Sequence, residues 1–108
     1  MPVDDLTVID FVSLDLDGNA VLTIGDHLEW HENLDHVYIL QDKINAYLDA
    51  IDNGRLYEAY PDAKNRHIII QVAAKYEPNE IGEAFLERVE EVLKEDGYTF
   101  SFSVLPSP

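Results

Sequence analysis

The densest run of side chains able to do chemistry is Asp26-His27-Leu28-Glu29-Trp30-His31-Glu32, extended by Asp35 and His36. On a helix, His27 and His31 share a face at i, i+4, the spacing that a zinc site uses. Glu29 is misplaced for a zinc hydrolase, because H-E-x-x-H needs the glutamate directly after the first histidine. The run also falls where strand gives way to helix, so it reads as well as a polar connection in which Trp30 packs over the core. Asp15-Leu16-Asp17-Gly18-Asn19, with Asp26 eleven residues after Asp15, has some of the spacing of a calcium loop. It lacks glycine at the sixth position, where Ala20 stands, and a bidentate glutamate at the twelfth, so it reads as a turn. Ser13, Ser101 and Ser103 lie in strand-like segments without a nucleophile elbow, and the five glycines are scattered singly rather than gathered into a phosphate-cradling loop. With no cysteine in the chain, thiolate catalysis, disulfides and cysteine-ligated zinc are excluded. The expectation is a protein that is not an enzyme, with no catalytic residue and no cofactor.

Charge is the second signal. The 108 residues carry 7 basic and 22 acidic side chains, a net charge of −15 with histidine neutral. Nucleic acid and anionic membrane surfaces are bound through lysine and arginine, so both are argued against as direct ligands. No run of 18 apolar residues exists, and the first residues have neither a basic nor an apolar leader segment, which points to a cytoplasmic protein. The acidity is patterned. At 100° per residue, Glu80, Glu83, Glu87, Glu90 and Glu91 fall on the arc opposite Ile81, Phe85, Val89 and Val92, interrupted only by Lys94. Like charges at i, i+4 (Glu83 with Glu87, Glu87 with Glu91) cost the helix about 0.2–0.5 kcal/mol each. That penalty is repaid if the stripe meets a basic partner, and it equally suits a solvated face kept soluble by charge.

The elements that hold these residues follow from periodicity. Residues 7–14 and 20–24 are β-rich and joined around Asp17-Gly18-Asn19, which predicts a hairpin. Val37, Leu40, Ile44, Tyr47, Leu48 and Ile51 recur at helical spacing over 34–51, with Asn33 to cap the start and Gly54 to end it. Residues 55–60 read as a weak strand, or alternatively as one helical turn, followed by a turn at 61–65 and an apolar strand at 67–76. A second helix is predicted over 79–96, opened by Pro78 and Asn79, closed by Gly97, with Ile81, Phe85, Val89, Val92 and Leu93 inward. In 98–104, Tyr98, Phe100, Phe102 and Val104 alternate with Thr99, Ser101 and Ser103, a strand with one aromatic and one hydroxyl face. A chain of this length supports one core, hence one α+β domain over 1–108 with 106–108 as a flexible tail. The expected order is ββαββαβ, a ferredoxin-like split βαβ plan with an extra N-terminal strand: a mainly antiparallel sheet with two helices on one face and a half-wet opposite face. Ile39, Ala46 and Ala50, with Lys43 among them, are placed on the outer side of the first helix, where a second chain would find room. Tyr57 and Tyr60 flank the following turn, as packed edge residues or interface aromatics.

Several segments carry a resemblance. Asp17-Gly18, Leu22-Thr23-Ile24-Gly25-Asp26-His27-Leu28-Glu29-Trp30, Leu40-Gln41-Asp42-Lys43-Ile44-Asn45-Ala46-Tyr47-Leu48, Tyr60-Pro61 and Tyr76-Glu77-Pro78 resemble a family of small uncharacterised bacterial domains of unknown function. The resemblance covers nearly the whole chain, through D-H-L-x-W and L-Q-x-K-I-N-x-Y-L. It implies a bacterial source and no particular activity. If the family shares a site, Asp26, His27, Trp30 and Asn45 are its candidates. Three readings follow: an acidic binding module for a basic protein, in its most specific form an immunity or inhibitor protein for a basic toxin, using Glu80, Glu83, Glu87, Glu90 and Glu91; a small metal-dependent protein or enzyme centred on Asp26, His27 and His31; and a structural homodimer.

Overall fold

The computed structural model describes residues 11–30 and 34–105. Strands β1 (Phe11–Leu14) and β2 (Ala20–Asp26) form a hairpin, and helix α1 (Asp35–Asp52) is followed by a short helix α2 (Arg55–Ala59) and a 3-10 turn at Pro61–Ala63. Strand β3 (Ile68–Ala74), helix α3 (Glu80–Glu95) and strand β4 (Thr99–Val104) complete the order. One four-stranded sheet runs β1-β2-β3-β4, with β1 antiparallel to β2, and both β2–β3 and β3–β4 parallel.

The hairpin forms because Asp15 organises its turn. Its Oδ1 accepts from the amides of Asp17 (3.0 Å) and Asn19 (2.8 Å), and its Oδ2 accepts from the Asn19 side chain (3.0 Å). Gly18 takes φ +83°, which a side chain would strain. Arg66 then clips the turn to the loop before β3, donating from Nη1 to Gly18 O (2.8 Å) and from Nε to Asp62 O (2.6 Å). The Asn19 amide, with the other turn hydrogen bonds, holds the Asp15 carboxyl below its ordinary pKa. Because the folded state binds this proton less readily than the unfolded chain, the turn's contribution is complete above the unfolded pKa and fades as pH falls through the folded one. Carbon-13 titration of the Asp15 carboxyl is expected to give a lower midpoint in the native protein than in the same protein unfolded in urea; equal midpoints would show the turn does not grip the carboxylate.

Both longer strands bury alternate residues on one face: Ala20, Leu22, Ile24 and Asp26 on β2, and Ile68, Ile70, Val72 and Ala74 on β3. The register aligns Leu22, Ile70 and Phe100 across the sheet, and that row packs in one core with Leu40, Ile44 and Tyr47 of α1, Leu56 of α2 and Leu86 and Leu93 of α3. Both crossovers step the same way across the sheet, and crossovers of one hand then place their helices on the same face. The other face presents Thr23, Gln71 and Ser101 in one row and Gly25, Ala73 and Ser103 in the next, half-buried or exposed, and among the described residues no helix covers it.

Several expectations are corrected. Of the two readings of 55–60, the weak strand is corrected and the helical turn holds: Gly54 adopts φ +83°, Asn53 Oδ1 accepts from the Arg55 amide (3.0 Å), and the chain restarts as α2 with Leu56 in the core. Without a strand there, no second hairpin forms. The chain reaches β3 by a helical crossover, so the sheet is mixed, not mainly antiparallel, and its sequential order is not the split ferredoxin-like plan. Among the described residues there are three α-helices instead of two. Lys43 and Ala50 are not on the outside of α1. Steps of four and three residues make His36, Leu40, Lys43, Tyr47 and Ala50 a continuous buried row beside Ile44 and Ile51, so the small-residue outer face for a second chain is not present as drawn. On α3 the buried residues are Gly82, Leu86 and Leu93, while Val92, expected inward, is 44% exposed. The predicted strand residues 7–10, the Asn33 cap and the tail 106–108 lie outside the described residues.

Candidate functional site

Asp26 is the last core-facing position of β2, and a carboxylate there needs an internal partner. The partner is His36, in the first turn of α1. His36 Nε2 lies 2.7 Å from Asp26 Oδ2, with the two side chains 4% and 0% exposed. The second ring nitrogen, Nδ1, lies 3.1 Å from the carbonyl of Glu29, and Asp26 Oδ1 accepts from the Leu28 amide at 3.1 Å. A carbonyl oxygen only accepts, so Nδ1 is the donor toward Glu29 O, and Nε2 faces the Asp26 carboxyl across a single hydrogen bond. Trp30 stacks on the imidazole with ring centroids 3.7 Å apart and planes 26° apart. Its Nε1–H is buried and, among the described residues, has no hydrogen-bond partner.

Gly82 of α3 closes the other side of the indole. An added Cβ would stand 2.7 Å from Trp30 Cε3, 2.8 Å from Cζ3 and 2.9 Å from Pro78 Cβ. Asn79, the α3 N-cap, accepts from the Gly82 amide at 2.9 Å and so fixes the helix start against the ring. Strand end, connection and both long helices are thus locked around one polar centre.

Of the residues singled out in the sequence, Asp26 and Trp30 come together here through His36, which the sequence reading named only as an extension of a ligand cluster. A signal was available: the alternation 20, 22, 24, 26 carries a charged residue onto the core face, and such a residue demands a partner. His27 is exposed and outside this centre, and His31 lies outside the described residues. Among the described residues no group of three potential ligands is placed to hold a metal, and Asp26 spends both oxygens on the chain's own donors. Asn45 is exposed on α1, beside a shallow groove of about 300 Å³ that includes Ile44, Leu48, Phe85 and Val89 between α1 and α3. Lys43 is wholly buried with Nζ 5.4 Å from the Tyr47 ring centroid, and the Tyr47 hydroxyl donates to Thr23 O at 3.2 Å.

The glutamates of α3 form a separate surface. Glu80, Glu83, Glu87, Glu90 and Glu91 are all exposed, and among the described residues none makes a salt bridge with lysine or arginine. They divide by direction. Glu83, Glu87 and Glu90 overhang a cleft between α3 and β4, and Glu80 and Glu91 do not line it. No described helix is long and apolar enough to cross a membrane.

Fold and site together define an α+β domain with helices on one sheet face, an enclosed acid–histidine pair in its interior and an exposed acidic helix face outside. The chain belongs to a family of unknown function (DUF6572), whose model spans residues 1–106. No curated protein and no solved structure matches it.

Proposed function

We propose that this protein is a non-enzymatic acidic binding module whose α3 face receives a basic protein, and that its most specific form is an immunity or inhibitor protein occluding a basic toxin. The observation that carries this reading is the outward row of α3 glutamates, exposed and, among the described residues, without a salt bridge to lysine or arginine. The like-charge spacings of Glu83 with Glu87 and Glu87 with Glu91 cost the helix stability, of which the spacing of Glu90 to Lys94 returns one unit. An attractive partner returns the rest and is steered in by the field. The enclosure of Asp26 and His36 supports binding over catalysis, since a reacting group must reach substrate.

The test separates this face from general acidity. Reversing Glu83, Glu87 and Glu91 to lysine changes the net charge from −15 to −9, because three reversals add 6. Reversing the exposed Asp42, Asp49 and Glu58 gives the same −9 elsewhere. With a lysine-rich peptide as probe, affinity is expected to fall at least tenfold for the first set, to change much less for the second, and to weaken steeply as salt rises. Equal losses in the two variants, with both folded, would refute the assignment of binding to α3.

A further inference from the structure

We infer that the acidic cleft between α3 and the outer edge of β4 takes up a basic segment in extended conformation, which adds to the sheet as a fifth strand; this rests on the binding role proposed above and names the form of the partner. The edge is open. β4 ends the sheet, and among the described residues no strand pairs with its outer side. The Leu105 amide donates to Ala74 O (2.7 Å), and in a parallel ladder alternate residues turn both main-chain groups to the same neighbour. Odd-numbered residues of β4 therefore face β3, and Phe100, Phe102 and Val104 turn N–H and C=O outward. Such an edge is a template for strand addition.

What lies above the edge selects the occupant. The cleft, about 420 Å³, has Leu86, Phe100 and Phe102 as its apolar floor and Glu83, Glu87 and Glu90 along its wall. Alternate residues of an added strand are about 6.6–6.8 Å apart on one face. Glu83 to Glu87 is one step of about 6 Å along the helix, and Glu90 follows after about 4.5 Å more. Lysine or arginine at alternate positions thus lays its aliphatic stem on Phe102 and Leu86 and brings its charge to the glutamates. The intervening residues fall on the side of Ser101 and Ser103, which favours small or hydroxyl side chains. A second copy of the chain is disfavoured at this edge, since it would bring another −15 and the same three glutamates.

The probe is a labelled octapeptide of alternating lysine and threonine, followed by fluorescence anisotropy and by amide exchange in the nitrogen-15-labelled protein. Binding is expected to slow exchange of the Phe100, Phe102 and Val104 amides at least tenfold. N-methylation of the peptide on its lysines, or on its threonines, leaves its charge intact, and one of the two patterns should cost at least tenfold in affinity. Glu83→Gln, Glu87→Gln and Glu90→Gln together should cost at least as much. Binding that ignores both methylation patterns and protects none of the three amides overturns strand addition while leaving the acidic-face reading standing. No binding of any lysine peptide at low salt overturns both. A dimer of the free protein in sedimentation, with those three amides already protected, assigns the edge to a second copy and overturns the inference.

Discussion

His36→Phe is expected to lower the stability of this protein by about 3–5 kcal/mol, the usual cost of removing one partner of a buried pair. The phenyl ring keeps the stack on Trp30 but offers no N–H, so Asp26 Oδ2 is left enclosed without a donor. A domain of this size has about 5–15 kcal/mol of total stability, so the loss is a large share of the whole. Breaking the pair differs from replacing it. Asp26→Asn keeps an acceptor for the Leu28 amide and can donate from Nδ2 to a neutral imidazole, and its cost should stay near the 0.5–1.5 kcal/mol of an ordinary hydrogen bond. The double variant Asp26→Leu, His36→Phe removes both polar groups and should be much less damaging than the sum of the two single changes. Urea denaturation of the parent, Asp26→Leu, His36→Phe and the double variant measures the cycle, with Asp26→Asn followed alongside. Additive losses would show that Asp26 and His36 do not depend on each other.

Gly82→Ala should also destabilise, although helix propensity alone predicts the opposite. Alanine in place of glycine within a helix gains up to about 1 kcal/mol. Here the new methyl lands within 3 Å of two ring carbons of Trp30 and of Pro78. Neither obstacle yields easily: the indole is pinned from behind by His36 at 3.7 Å, and the proline ring is rigid. Overpacking of this kind costs about 1–3 kcal/mol, with larger values where neighbours cannot move, so the clash wins. The sign should invert when the obstacle is removed. In a Trp30→Leu background, Gly82→Ala is expected to stabilise, and in the native background it should alter the near-ultraviolet circular dichroism of the single tryptophan. A Gly82→Ala protein more stable than the parent, with unchanged tryptophan signals, would mean that the ring is not held there.

Both predictions concern a centre only half legible in the sequence. The local signals were reliable: Asp17-Gly18-Asn19 turns the hairpin, Asn79 caps α3, and alternation marks β4, because each is decided by neighbours within a few residues. Arg55 to Tyr60 is too short to display a helical period, and its state is set by Gly54 in a left-handed conformation with Asn53 capping the restart. That single ambiguity propagates, since a strand there would have made β3 antiparallel to β2. His36 and Lys43 stand at helical spacing from Leu40 and Tyr47, but a polar side chain at such a position is buried only when the rest of the fold brings it a partner. The outward row of glutamates was readable from angle alone; the exposed edge of β4 beneath it was not, because edge or centre is a property of the assembled sheet.

The order β1-β2-β3-β4 has a kinetic consequence. Every strand lies beside its neighbour in the chain, so none has to insert between two that are already joined, and each addition closes a loop no longer than one crossover. Closing a loop of one crossover costs less entropy than closing one that spans most of the chain, while each parallel pairing still waits for its crossover to form. As the ribosome releases the polypeptide, the hairpin offers a docking edge for β3, and β3 then offers one for β4, so the sheet can grow in the direction of synthesis.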